Sequence, residues 1–168
     1  MTTIPAEWRS HKAIWTGWPS AGDLWGEDLD PARAEVAAMI RALWDGGKGD
    51  KVRVLAHGRE AEASAKLALG QAAEVLTGAF GDIWFRDTGP IFDSSGVAHG
   101  FQFNGWGGKY QLPHDDEVGA RIALLAKADY RRHDFILEGG AIEMDGEGTL
   151  LTTRQCLLNP NRNAHWTE

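Results

Sequence analysis

The hydrophobic pattern of the chain predicts short strands that alternate with helices. Apolar residues at Val36, Ile40 and Trp44 lie about one helical turn apart, after a helix start at Asp30 and Pro31. An alanine-rich stretch over 60–69 predicts a second helix, and a third opens at residue 115. Strands are predicted at 13–18, 51–57, 73–76, 83–86, 90–92, 97–103, 134–137, 141–144 and 149–153. This order predicts an α/β fold with mixed strand pairing, rather than a plain doubly wound sheet.

A short segment recurs later in the chain. Residues 87–91 read Asp-Thr-Gly-Pro-Ile, and residues 138–142 read Glu-Gly-Gly-Ala-Ile. Each copy is followed by an aspartate-to-glycine turn of the kind that closes a hairpin. Repeated strand-strand-helix-strand units that stack about a pseudo-symmetry axis bring equivalent residues to the same place. The repeat therefore predicts that Asp87 and Glu138 face one shared cavity.

Acidic and aromatic residues together favour a flat, positively charged ligand. Two carboxylates that face one cavity repel each other unless a cation lies between them. A guanidinium group is planar, binds a carboxylate through two hydrogen bonds and stacks on aromatic rings. The chain has eight tryptophans. Trp84 lies three residues before Asp87, and Trp106 lies in the glycine-rich loop over 104–109. These two indoles are candidate walls of a guanidinium pocket.

Composition narrows the range of partners and compartments. The 168 residues include 17 basic and 24 acidic side chains, which gives a formal net charge of −7. This charge disfavours nucleic acid and anionic membranes as partners. One cysteine excludes an internal disulfide framework and fits a reducing compartment. Residues 1–12 lack the apolar stretch of a secretory signal, and no apolar run reaches the roughly 20 residues of a membrane span. We expect a cytoplasmic protein without a cofactor and without an internal domain boundary.

Other reactive side chains give weaker signals. Cys156 has apolar neighbours, so we expect a small buried hydrophobic residue rather than a nucleophile. The six histidines show no metal-ligand spacing, and no metal site is expected. The loop over 104–109 lacks the Ser or Thr that follows Gly-Lys in a phosphate loop. The polar turn over 159–163 is interpreted either as a plain loop or as a network that braces the site.

Four strings of the chain, taken in order, resemble the agmatine deiminase and bacterial-type peptidylarginine deiminase family. They are residues 84–90, 103–109, 138–142 and 157–163, and the opening segment 5–19 is similar to that family's amino-terminal segment. The resemblance implies the α/β pentein fold, a propeller-like ring of ββαβ units around a central active site. It implies further that residues 1–168 form the amino-terminal part of a single catalytic domain, with about half of the units.

The resemblance also assigns roles to particular residues. Those that match the family's substrate-binding residues are the carboxylates of Asp87 and Glu138 and the indoles of Trp84 and Trp106. Those expected to brace the pocket without contacting the ligand are Arg86, Asn159 and Arg162. The implied ligand is a small guanidino substrate. Agmatine is favoured because the motifs are most similar to that branch of the family, while free arginine and peptidyl arginine stay open.

The chemistry implied is hydrolytic removal of ammonia from a guanidino carbon, which converts agmatine to N-carbamoylputrescine. A thiolate attacks, ammonia leaves, and water resolves the amidino-cysteine intermediate. The family's cysteine and its His-x-Asp pair have no match here, because Cys156 lacks the glycine-rich context and His165 precedes Trp166 and Thr167. We therefore expect these groups outside the chain, which alone would be inactive. The chain is then a truncated piece, a cleavage product or a natural short protein.

Two other functions remain as alternatives. One is a non-catalytic, tryptophan-lined acidic module that binds a guanidinium compound. The other is a glycoside hydrolase with Asp87 and Glu138 as its paired carboxylates, which explains the aromatic residues but not the four ordered motifs. An incomplete ring leaves open sheet edges and exposed apolar surface. We therefore expect association, either with further copies or with the missing carboxyl-terminal half.

Overall fold

The computed structural model describes residues 2–167, which divide into two compact units. Residues 10–85 form the first, which we call the parallel-sheet unit. The residues up to Arg9 and those from Arg86 onward form the second, which we call the hairpin unit. Both units combine helices with small sheets, so the predicted mixed α/β class is confirmed. The assignment of residues 1–168 to a single catalytic domain stays a prediction.

The parallel-sheet unit is a three-stranded parallel sheet with its connecting helices. Its elements are β1 (Ile14–Gly17), α1 (Gly22–Trp25), α2 (Leu29–Trp44), β2 (Val52–Ala56), α3 (Arg59–Leu69) and β3 (Glu74–Thr77). The strand order is β1-β2-β3, and both neighbouring pairs are parallel. Four of the five residues of the central strand β2 are buried, a pattern typical of parallel strands. One face of α2, which includes Val36 and Ile40, packs in the same apolar core as Val52 and Val54.

The hairpin unit contains one complete ββαβ arrangement and a second hairpin. Its elements are α4 (Phe85–Thr88, at the junction of the units), β4 (Ile91–Phe92), β5 (Ala98–Gln102), α5 (Gly105–Gly108), α6 (Val118–Ala126), β6 (Tyr130–Ile136), β7 (Ile142–Met144), β8 (Leu150–Thr152) and α7 (Arg154–Leu157). Strands β4 and β5 are antiparallel, and β5 continues through α6 to its parallel neighbour β6. Strands β7 and β8 then form another antiparallel pair.

The two hairpins confirm the internal repeat. Strand β4 begins at Ile91 and β7 at Ile142, which are the equivalent isoleucines of the two copies. Asp93 Oδ1 accepts hydrogen bonds from the backbone N–H groups two and four residues later, at 2.9 and 3.0 Å. Asp145 Oδ1 does the same in the second turn, at 2.7 and 3.0 Å. One aspartate thus fixes each turn by the same local bonds, and the repeated sequence folds alike twice.

The strand predicted over residues 83–86 is wrong. Asp82 Oδ1 accepts a hydrogen bond from Ile83 N–H at 2.8 Å, and Phe85 N–H donates to the Ile83 carbonyl at 2.8 Å. These local bonds wind the chain into α4, while the Phe85 ring packs edge-on against Phe80. Aromatic residues favour strands only where a partner strand is present, and here side-chain-to-backbone bonds prevail. Asp87 therefore lies in a helical turn.

Other predicted elements are confirmed with shifted boundaries. Helix α2 begins at Leu29, so Asp30 lies inside its first turn instead of preceding it. Strand β6 begins at Tyr130, four residues earlier than predicted. The predicted opening at Asp115 is a 3-10 turn that runs directly into α6.

Apolar side chains remain exposed on the second hairpin. Leu150 and Leu151 of β8 are 50% and 67% exposed. The association expected from exposed apolar surface nevertheless stays a prediction. Within residues 2–167, no helix is both long enough and apolar enough to cross a lipid bilayer.

The aspartate turns predict acid-dependent stability. Hydrogen bonds from Ser95 and then from His99 hold the pKa of Asp93 well below its usual range, and Thr149 lowers the pKa of Asp145. Because the unfolded value is about 3.9, these carboxylates contribute their full stability above roughly pH 4. That contribution is lost as the pH falls through the lowered folded values.

The Asp93→Asn variant tests this source of stability. We expect its melting temperature to fall less between pH 5 and pH 2 than that of the unmodified chain, measured by circular dichroism. Asp129→Asn, which removes an exposed aspartate outside both turns, is the matched control. An equal acid-dependent fall in Asp93→Asn and the unmodified chain would contradict the prediction.

Candidate active site

Asp87 is held by two neutral hydrogen-bond donors from distant parts of the hairpin unit. Trp106 Nε1–H donates to Oδ2 at 3.1 Å, and Gly140 N–H donates to Oδ1 at 2.9 Å. Neither donor is charged, and an ionised carboxylate has about four acceptor positions, of which these bonds occupy two. The side chain is half-buried. Asp87 is therefore an oriented carboxylate with acceptor positions left for a ligand.

The arginines of the adjacent motifs pair with other acids. Arg86 binds both carboxylate oxygens of Glu7, with 2.8 Å between Nη2 and Oε2. Arg162 Nε donates to Glu138 Oε1 at 2.6 Å. Within residues 2–167, Asp87 has no ion-pair partner.

Gly140 brings the second repeat against the first. A Cβ atom at this position would lie 2.5 Å from Asp87 Oδ1, closer than real Cβ contacts allow. Only glycine lets the backbone N–H approach the carboxylate this closely. Because Gly140 follows Glu138 by two residues, the bond joins the equivalent acid-containing segments of the two repeats. A cavity shared by Asp87 and Glu138 stays a prediction.

Trp106 reaches Asp87 from a strained loop. Its φ is 55°, in the left-handed region that costs a non-glycine residue about 1–2 kcal/mol. Asn104 caps this loop by accepting the Gly107 N–H at 2.8 Å, and the Phe103 ring packs edge-on against the indole at 4.9 Å. The strained backbone aims the indole N–H at the carboxylate. The predicted role of Trp106 as a pocket wall stays a prediction.

Glu138 and Arg162 form a buried ion pair. Their side chains are only 6% and 12% exposed. Arg162 Nη1 also donates to Asn161 Oδ1 at 2.9 Å, and the Asn161 carbonyl accepts Asn104 Nδ2–H at 2.8 Å. One Glu138 oxygen is thus already bound to a cation. A direct contact between Glu138 and a substrate stays a prediction, and so does the bracing role of Arg162.

These contacts form a closed series that we call the hydrogen-bond circuit. Its members, in order, are Asp87, Trp106, Asn104, Asn161, Arg162, Glu138 and Gly140. The covalent backbone completes the circuit between Glu138 and Gly140, and between Asn104 and Trp106 within their loop. Four separate segments of the hairpin unit therefore fix one another, and the carboxylate of Asp87 is the point where two of them meet.

The remaining predicted residues lie outside this circuit. Trp84 belongs to the parallel-sheet unit, where it is 54% exposed and its Nε1–H donates to Asp82 Oδ2 at 2.8 Å. Its role as a pocket wall stays a prediction. Asn159 Oδ1 accepts the Asn161 N–H at 3.2 Å and shapes the local turn. Cys156 is half-buried rather than buried, so its predicted full burial is wrong.

Sequence reasoning did not single out three asparagines, although two of them lie in the polar turn over 159–163 that it interpreted as a possible bracing network. Asn104 and Asn161 connect the tryptophan loop to the ion pair. Asn163, only 1% exposed, accepts the Ile136 N–H at 2.9 Å and donates to the Ile136 carbonyl at 3.0 Å, as a neighbouring strand would. The available signal was the density of asparagines in the polar turn, three in five residues.

Metal ions and other cavities give no better candidate. Within residues 2–167, no three His, Cys, Asp or Glu side chains are grouped as a metal site requires. A cavity of about 410 Å³ lies in the parallel-sheet unit beside Trp44. Lys51 in its lining pairs with Glu74 at 3.3 Å, and Asp50 lies 3.6 Å from the His11 ring. The unbalanced carboxylate of Asp87 is the better candidate for binding a cation.

Comparison with known proteins identifies the class. Residues 3–168 match the sequence profile of the Porphyromonas-type peptidyl-arginine deiminase family. The chain belongs to this family, whose members include hydrolytic C–N deiminases that act on guanidino groups. The family predicted from the motifs is confirmed, and the glycoside hydrolase alternative is set aside.

The individual relatives are agmatine deiminases. The enzyme of Pseudomonas aeruginosa strain LESB58 is 40% identical over 98% of this chain, and that of Stutzerimonas stutzeri is 39% identical over 95%. The chain spans about half the length of these curated relatives, 47% and 45%.

Solved structures of the same class confirm the fold. The agmatine deiminase of Enterococcus faecalis superposes with a TM-score of 0.90 at 27% identity, over 99% of this chain and 47% of that one. The enzyme of C. jejuni gives 0.81 at 27% identity, over 100% and 50%. The predicted pentein fold is confirmed.

Replacing Gly107 tests the packing of the tryptophan loop. Its φ is 80°, and a Cβ atom there would collide with Arg162 Nη1 and lie too close to Asn161 Nδ2. We expect Gly107→Ala to lower the free energy of unfolding by about 3 kcal/mol, from left-handed strain together with overpacking. Gly96→Ala, at φ 90° with open space around it, should incur only the strain. Equal losses in urea denaturation would contradict this prediction.

Removing one partner of the buried ion pair tests its energetic role. Arg162→Met leaves Glu138 buried and uncompensated, and we expect a loss of about 3–5 kcal/mol in the free energy of unfolding. The double variant Glu138→Leu/Arg162→Met removes both charges and should recover at least half of this loss. Chemical denaturation measures both. A double variant as unstable as the single variant would count against the ion pair as the cause.

Proposed function

We propose that this chain supplies the guanidinium-binding part of a hydrolytic deiminase that converts agmatine to N-carbamoylputrescine and ammonia. The main support for the proposal is the state of the Asp87 carboxylate. It is oriented by neutral donors and has no ion-pair partner within residues 2–167. A fixed carboxylate without an ion-pair partner favours a cation, and a planar guanidinium can use both of its oxygens at once.

The geometry around Asp87 supports positioning as well as affinity. Both carboxylate oxygens are anchored, so a bound guanidinium would have a defined plane and a defined position for its central carbon. Orienting the reacting carbon in this way lowers the entropic part of the barrier to attack. The negative charge also stabilises the positive charge of the bound guanidinium and that of the amidino-cysteine cation that forms when ammonia leaves.

The covalent steps require groups that we place outside these 168 residues. In the proposed reaction a cysteine thiolate adds to the guanidino carbon and ammonia departs with a transferred proton. Water then adds to the amidino-cysteine carbon and the thiolate leaves, which releases the carbamoyl product. Cys156 is half-buried and its backbone N–H lies 3.2 Å from Thr153 Oγ1, in a short helical turn. We do not assign it as the nucleophile.

Agmatine is the proposed substrate because relatives at 36–40% identity carry the name agmatine deiminase or putative agmatine deiminase. The family profile carries the name of a peptidyl-arginine deiminase instead. Both names share the guanidino group, which is the part of the substrate that Asp87 is proposed to bind. Agmatine and peptidyl arginine differ at the end of the substrate away from the guanidino group, so residues that contact that end decide between the two substrates.

Calorimetry tests the proposed guanidinium site. We expect agmatine to bind the 168-residue chain and Asp87→Asn to weaken binding by about tenfold or more, because a charge-assisted bidentate contact is lost. Asp129→Asn is the matched charge control and should bind normally. Putrescine, with an amine in place of the guanidinium, should bind more weakly than agmatine.

Two results would contradict the proposed site. One is the absence of binding heat at millimolar agmatine, and the other is equal binding by Asp87→Asn. A colour assay for the carbamoyl product on the same samples separates catalysis from binding. Product formation by the chain alone would overturn the placement of the covalent groups, and binding without product fits both the proposal and a purely binding module.

A further inference from the structure

The amino-terminal segment connects the two repeated hairpins. We call residues 3–7 the amino-terminal strap. Thr3 N–H donates to Ser94 Oγ at 3.1 Å, and Ser94 N–H donates to the Thr3 carbonyl at 2.8 Å, in the turn of the first hairpin. Ala6 packs on Gly146 in the turn of the second hairpin, where an added Cβ atom would be 2.7 Å from the Ala6 nitrogen. The strap thus contacts both repeats.

Glu7 ends this strap beside the candidate site. Its two carboxylate oxygens bind the two Nη atoms of Arg86, the residue that directly precedes Asp87. The Arg86 side chain passes over the second repeat, since a Cβ atom at Gly140 would be 3.4 Å from Arg86 Cγ. Arg86 therefore lies next to both the carboxylate of Asp87 and the backbone that donates to it.

The charges around Arg86 show which acids compete for it. Glu7 raises the pKa of Arg86 by hydrogen bonding, and the charges of Glu7, Glu143 and Asp87 add to this effect. Asp87 is thus within the electrostatic reach of the guanidinium of its own neighbour. The charges of three carboxylates act on this arginine, and Glu7 is the one that binds it through two hydrogen bonds.

We propose that Glu7 is a positioning residue that holds the Arg86 guanidinium away from Asp87 and so keeps the Asp87 carboxylate free for a cationic ligand. Without Glu7, Arg86 turns to the remaining carboxylates and competes with the ligand at Asp87. The predicted effect of Glu7 on agmatine binding rests on the proposed function. Its predicted effect on the position of Arg86 in the ligand-free protein does not.

A pair of variants distinguishes this role from simple loss of an ion pair. Glu7→Gln should weaken agmatine binding by about tenfold, because an internal guanidinium competes for the site. The double variant Glu7→Gln/Arg86→Gln removes the competitor and should bind agmatine several times more tightly than Glu7→Gln. A merely structural role of the pair would leave the double variant as weak as the single one. Glu62→Gln, which removes an exposed ion pair of α3, is the control.

A ligand-free measurement keeps the two proposals separate. The indole N–H of Trp106 donates to Asp87, so its NMR signal should shift in Glu7→Gln and return in the double variant. If the unmodified chain binds no agmatine, the proposed function fails and the indole signal alone decides the role of Glu7. Normal binding by Glu7→Gln, a double variant without recovery, or an unmoved indole signal would overturn the positioning role.

Discussion

The structure of the candidate site depends on one carboxylate that is held in place without an ion-pair partner of its own. An acid placed among arginines normally pairs with one of them, and a paired acid has little attraction left for a cationic ligand. Asp87 avoids this because its oxygens are held by an indole N–H and a backbone N–H. Neutral donors fix direction and leave the charge in place.

The two repeats share one type of turn, but the acids that open them have different partners. Asp93 and Asp145 organise equivalent hairpins, yet the acids that open the copies differ in state. Asp87 remains unpaired within the described residues, while Glu138 is buried against Arg162. The second copy also orients the acid of the first, because the Gly140 N–H donates to Asp87 Oδ1. Each copy contains one acid, and Arg162 in the polar turn after the second copy pairs with Glu138 only.

Sequence reasoning succeeded where the signal was local and failed where it was not. The hairpins follow from an aspartate whose bonds reach only two and four residues ahead, so composition alone identified them. The pairs Glu138–Arg162 and Glu7–Arg86 join residues 24 and 79 positions apart, and nothing in the spacing of the chain indicates such partners. The strand predicted over residues 83–86 failed for a related reason, because β propensity says nothing about whether a partner strand is present.

The left-handed backbone of Trp106 has a consequence for how this loop tolerates change. A glycine there would relax the main chain and remove the indole, so a selection that rewards only thermal robustness would tend to discard the residue that orients the acid. Conversely, a selection for ligand capture retains a conformation that the isolated peptide disfavours. At position 106, relief of the backbone strain therefore favours glycine, whereas the hydrogen bond to Asp87 requires tryptophan.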